Sequence, residues 1–147
     1  MGATVLSTVT TMARPACLLV GIDTSPESLA ALDRALELAE ALDARLVAVH
    51  AVGLLEEGGY RPHPDLPAIL EDAKVRVGAS GAVNVTCLAE DGVPQDVVLR
   101  VAERERADLI VVGSRGLGGA LRQLGSTSEA VVSRSTVPVL VVPHARS

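Results

Sequence analysis

Between Ala107 and Pro143 an apolar run opens into a stretch crowded with glycine, namely Gly113, Gly116, Gly118, Gly119 and Gly125. The stretch closes on Ser126-Thr127-Ser128-Glu129, ahead of a second apolar run, V-P-V-L-V-V-P. Glycine combines positive φ with room for an anion to approach the main chain. The S-T-S-E tetrad fits a capping box, with Ser126 as the cap and Glu129 reaching back to it. The free N–H groups and positive dipole end of that helix then face the loop, which is the chemistry of a phosphate site. A surface loop without a ligand has the same composition, so residues 113–126 alone leave both readings open.

Better-known phosphate motifs do not fit. The G-x-x-x-x-G-K-S/T loop is absent, and the single lysine, Lys74, lies in another segment. The one G-x-G, Gly116-Leu117-Gly118, lacks the third glycine of a dinucleotide fingerprint and comes late in the chain. Nucleophilic catalysis at Ser126 needs a base within reach, and none is identifiable, so its capping role suffices. His50 reads as a packed histidine at a strand end, while His63 and His144 fall in a Pro-rich loop and near the C-terminus. No His, Cys, Asp or Glu cluster has metal-ligand spacing, and Arg115 reads either as a phosphate contact or as a solvated loop arginine. No catalytic residue is expected.

With 147 residues and 48% apolar content the chain suits one domain around one core, set here at 15–147, with residues 1–14 as a loose extension and Met12 as an alternative start. The formal charge of -5, the lack of Phe and Trp, and a single tyrosine, Tyr60, argue against a nucleic-acid partner. A small phosphate ligand is still admissible, because backbone amides can hold an anion in an acidic protein. No apolar run reaches membrane-spanning length, and the N-terminus lacks a basic signal-peptide region. Cys17 and Cys87 lie in apolar runs and read as small hydrophobes, in keeping with a cytoplasmic protein.

The supporting elements follow from periodicity. Cys17–Ile22 is a strand buried on both faces; Asp23 follows it, Ser25 caps a helix with Pro26 at its first position, and Leu29, Leu32, Leu36 and Ala39 form the packed face. Arg45–His50 is the second strand, Gly53–Leu66 an interrupted loop, and Leu66 to Val77 a short amphipathic helix stopping at Gly78 or Gly81. Val83, Val85, Cys87 and Ala89 alternate with wetter positions, as on an edge strand. Pro94 opens a helix packed through Val97, Val98, Val101 and Ala102. Leu109–Val112, the helix Ser126–Ser135 and Val137–Val142 complete an α/β three-layer sandwich with a five-stranded, mostly parallel sheet.

Several landmarks in this order resemble the universal stress protein family: V-G-I-D-T-S-P-E-S after the first strand, A-V-H-A, G-V-P, G-S-R-G, G-S-T-S and V-P-V-L-V-V-P. The resemblance runs from about Ala16 to Pro143 and implies strand order 3-2-1-4-5, a Rossmann-like fold of the adenine nucleotide alpha hydrolase type. The ATP-binding branch of that family carries G-x2-G-x9-G-S/T, which implies that Gly113, Gly116, Gly125 and Ser126 hold the triphosphate, with Arg115, Thr127 and Ser128 beside them. Here Gly116 and Gly125 enclose eight residues instead of nine.

By the same resemblance Asp23 binds the ribose hydroxyls and Gly21, Ile22 and Ala51 line the adenine pocket, with Val112 also expected at the nucleotide site. Asp23 also stands where a carboxylate favours a helix start without any ligand. The function implied is regulatory ATP binding, with or without Mg2+, in a stress response. The alternatives are cyclic AMP binding, a nucleotide-free interaction module and, more remotely, slow ATP hydrolysis. A homodimer paired through Val137–Val142 is implied as well.

Overall fold

In a computed structural model describing residues 2–4, 15–23, 25–52, 65–79, 83–114 and 124–143, five apolar runs form one sheet. Its strands are β1 (Cys17–Gly21), β2 (Arg45–Val52), β3 (Val85–Asp91), β4 (Leu109–Gly113) and β5 (Val139–Val142). Their order is β3-β2-β1-β4-β5, and all four pairings are parallel. Parallel neighbours need crossovers, and helices supply them: α1 (Pro26–Leu42), α2 (Leu66–Val77), α3 (Pro94–Arg104) and α4 (Ser126–Arg134).

Alternation along the inner strands divides the core into two layers. Leu18, Val20, Leu46, Ala48 and Val111 face α1 and α2. Cys17, Leu19, Val47, Val49, Ile110 and Val112 face α3 and α4. Helices on both faces explain why β1, β2 and β4 read as continuous apolar runs.

The helix starts follow local chemistry. Ser25 caps α1 by accepting the Ser28 N–H at 3.2 Å, and Asp65 caps α2 by accepting that of Ala68 at 3.1 Å. The buried face of α1 is Ser28, Ala31, Leu32, Ala35, Leu36 and Ala39, with Leu29 only half-buried. The alanines take the centre because the helix lies close against the sheet, a preference that counting leucines misses. The helix α2 ends at Gly78, whose φ of 66° lies in the left-handed region.

Four expectations are adjusted. β3 starts at Val85, and its alternation breaks at Leu88, which is half-buried while Ala89 is exposed, because an edge strand is only partly covered by the helices. β2 runs on to Val52, and β5 begins at Val139, two residues past the expected start. Ser126 does not cap α4. Gly125 holds the N-cap position, its carbonyl already accepting the Glu129 N–H at 2.9 Å, and no side chain among the described residues caps the helix. Most of the expected N-terminal extension, the loop residues 53–64 with Tyr60 and His63, and Gly81, Arg115, Gly116, Gly118, Gly119 and His144 lie outside the described residues.

Candidate functional site

Every helix that follows a parallel strand starts at the strands' C-terminal edge, so α1, α3 and α4 all point their N-termini to the same end of the sheet. After β1 the chain leaves for one face; after β4 it leaves for the other. Because β1 and β4 are neighbours, their diverging connections open a crevice between them, the place where doubly wound sheets bind ligands. A partly open cleft occupies this position.

Eight of the expected site residues line it: Gly21, Ile22, Asp23, Ala51, Val112, Gly113, Thr127 and Ser128. Gly125 and Ser126 stand at the entrance to α4 and do not line it, and Arg115 and Gly116 lie outside the described residues. Ser25, Ser28, Val49, Pro94 and Val98 also line the cleft, although the sequence reading assigned them no site role. Parallel topology was the available signal for Pro94 and Val98, since α3 must begin at the same sheet edge as α1 and α4.

One wall is apolar, formed by Ile22, Val49, Ala51, Pro94 and Val98. Gly21 keeps this wall recessed: a Cβ there would lie 3.2 Å from Val98 Cγ2. The main chain of Ile22 is already committed, its N–H donating to Val49 O at 2.9 Å and its carbonyl lying 2.8 Å from His50 Nδ1. Ile22 therefore meets the cleft with its main chain already bonded, and half-buried His50 holds its backbone.

Asp23 forms the polar rim. Its Oδ1 accepts the Ser25 N–H at 2.9 Å, and its own N–H donates to Ser28 Oγ at 3.1 Å. The helix-start reading of Asp23 therefore describes a real bond. A carboxylate has several acceptor positions, so this bond does not preclude a ligand contact.

Across the cleft, α4 presents Thr127 and Ser128 in its first turn. With glycine at the N-cap, no side chain among the described residues caps the helix's leading amides, which makes this end suited to an anion. The hydroxyl hydrogen of Ser128 goes to Gly113 O at 2.5 Å, leaving its backbone N–H as the group available to a ligand. Glycine at 113 and 125 has reasons other than positive φ. Gly125 has φ -63° and ψ 162°, which any residue adopts. At Gly113 a Cβ would lie 2.5 Å from the carbonyl carbon and oxygen of Glu27 and 2.8 Å from Ser28 N, so closeness to α1 requires glycine.

The remaining chemistry is quiet. Burial raises the thiol pKa of Cys17, partly offset by Arg45, and burial likewise raises that of Cys87, with Lys74 opposing. Both therefore stay protonated, as expected of small apolar residues. Among the described residues no group of three or more His, Cys, Asp or Glu side chains is placed to hold a metal ion, and no helix is long and apolar enough to cross a membrane.

The sequence model of the universal stress protein family matches residues 18–143, nearly the whole sheet and all four helices. The chain belongs to this family. A universal stress protein of Mycobacterium tuberculosis is 38% identical over 138 residues, spanning 85% of this chain and 94% of that protein. One from Thermus aquaticus is 36% identical over 141 residues, spanning 85% and 96%. Among solved structures, a universal stress protein in complex with cAMP superposes with a TM-score of 0.69 at 36% identity, covering 90% of this chain and all of that one. The universal stress protein fold thus accounts for the strand order and for the cleft's place at the β1/β4 switch.

Proposed function

We propose that this universal stress protein binds an adenine nucleotide, ATP in the first instance, and acts as a cytoplasmic regulator in a stress response. The observation that carries the reading is a single cleft pairing an apolar wall and a carboxylate with a helix N-terminus that no side chain among the described residues caps. A purine suits the wall of Ile22, Val49, Ala51, Pro94 and Val98; ribose hydroxyls suit Asp23; phosphate suits the amides of Thr127 and Ser128. Mg2+ would enter on the phosphates themselves, which it coordinates readily.

Cyclic AMP is the second reading. It is favoured by the 36%-identical neighbour that holds it and by the eight-residue spacing between Gly116 and Gly125, shorter than the triphosphate pattern. Calorimetric titration with ATP, cyclic AMP and GTP, together with mass identification of nucleotide released on denaturation, separates these cases. ATP is expected to bind and GTP to bind more weakly; tighter binding of cyclic AMP would establish the second reading, and no adenine nucleotide at millimolar concentration would end both.

Asp23→Asn keeps an oxygen for the Ser25 N–H but removes the charge. It is expected to weaken binding by about tenfold, the scale of a charge-assisted hydrogen bond. We also propose the family's homodimer, paired along the β5 edge. The strand is a row of four half-buried apolar residues at the end of the sheet, an edge that natural proteins cover.

A further inference from the structure

Among the described residues two polar residues are buried, Ser28 and Ser128, and both line the cleft. They occupy equivalent places. Ser28 is the third residue of α1 and Ser128 the third residue of α4, the two helices that leave the switch point towards opposite faces. Each hydroxyl reaches back to the strand end that precedes its helix. Ser28 Oγ accepts the Asp23 N–H at 3.1 Å and donates to Ser25 O at 3.1 Å; Ser128 Oγ donates to Gly113 O at 2.5 Å.

The two clasps meet at Gly113. The carbonyl of Gly113 takes the Ser128 hydroxyl, and its Cα packs so closely on α1 that an added Cβ would strike the backbone of Glu27 and Ser28. A continuous path therefore runs from α4 through Ser128 and Gly113 to the first turn of α1, and through Ser28 to the backbone of Asp23. Its links are two partly buried hydrogen bonds, each made by a short serine side chain, and one backbone contact.

We infer that Ser28 and Ser128 are positioning residues that couple the two halves of the nucleotide site, so that the placement of α4 sets the geometry of Asp23. The inference rests on the nucleotide reading given above. Neither hydroxyl is a ligand contact in it. The Ser128 hydrogen is spent on Gly113, and the Ser28 oxygen serves the Asp23 N–H while its hydrogen serves Ser25.

The consequence is specific: a change in the phosphate half is felt by a ligand that has no phosphate. Ser128→Ala removes the clasp on the α4 side and is expected to weaken adenosine binding by about three- to tenfold, the scale of one buried hydrogen bond. Ser128→Thr, which keeps the hydroxyl, restores it. Ser133→Ala, in the same helix with an exposed hydroxyl bonded to Glu129 O, leaves adenosine affinity unchanged. On ATP, Ser28→Ala and Ser128→Ala together cost less than the sum of the single losses, as coupled residues do.

Calorimetry of the full chain with adenosine and with ATP is the measurement. Its stoichiometry counts folded protein and its dissociation constant reads the site, so a variant that is merely less stable loses sites without losing affinity. Adenosine bound by Ser128→Ala within twofold of wild type, while ATP binding falls, would overturn the coupling and leave the nucleotide reading intact. Wild-type protein that binds neither ligand would remove the nucleotide reading and the coupling together.

Discussion

Gly113 shows how a residue's chemistry can be recognised while its reason is misplaced. Its position in a Gly-rich stretch suggests a phosphate approaching the main chain, yet the atoms crowding it belong to α1. Gly113→Ala would force a Cβ against the peptide of Glu27 and Ser28, and neither can move without displacing the helix. Overpacking of this kind costs about 1–3 kcal/mol, expected as a lowered urea midpoint with an unchanged slope. Unchanged stability would show that α1 yields freely. Nucleotide affinity lost in this variant is therefore secondary to packing, which makes Asp23→Asn the cleaner probe of the site.

At the scale of elements, the ends of helices carry the adjustable energy. The helix α3 ends with Glu105 as C-cap, and the next residue, Arg106, has φ 54°, a left-handed conformation in which an L side chain is strained. Arg106→Gly is expected to stabilise the fold by about 1 kcal/mol, read from the denaturation midpoint. A loss of stability would mean that the arginine side chain contributes more than its backbone costs.

The same helix secures the β3 edge: Glu90 accepts from Arg104 and, at 3.4 Å, from Arg100. The Arg104 hydrogen bond is the main cause holding the Glu90 carboxyl below the ordinary glutamate value of 4.5. Because the folded state favours the charged form, the stabilisation is present above that value and disappears as pH falls through the lower folded value. Glu90→Gln should therefore be less stable than wild type at about pH 7 and should converge with it as the pH falls below the lowered folded-state value. A gap independent of pH would assign the effect to packing.

At the scale of the whole molecule, the sheet has one edge tied down by charge and one that is apolar. Val139–Val142 ends the order at β5, and no charged side chain interrupts it. Sedimentation at micromolar concentration is expected to give twice the chain mass, and Val141→Lys to shift the protein towards monomer, since a lysine on an edge opposes strand pairing. A wild-type monomer would refute pairing along this strand. The two edges also explain the uneven legibility of the strands. β1, β2 and β4 are covered on both faces and were plain as apolar runs, whereas β3 and β5 took their limits from how far neighbouring elements cover them.

The sequence by itself determined the alternation of strands and helices and the Ser25 cap, because each is written in local periodicity or in a short motif; it left the end of α2 open between Gly78 and Gly81, and the grouping of Asp23 with Gly113 and the start of α4 came from the family resemblance. Tertiary structure decided which residues complete the cleft and why. Pro94, Val98 and Val49 join it because strand order sets α3 and β2 beside β1. Gly113 is glycine because α1 passes within contact of it, and Ser28 and Ser128 are buried because two helices close over the same switch point. These relations join residues far apart in the chain, and no local pattern encodes the distance between them.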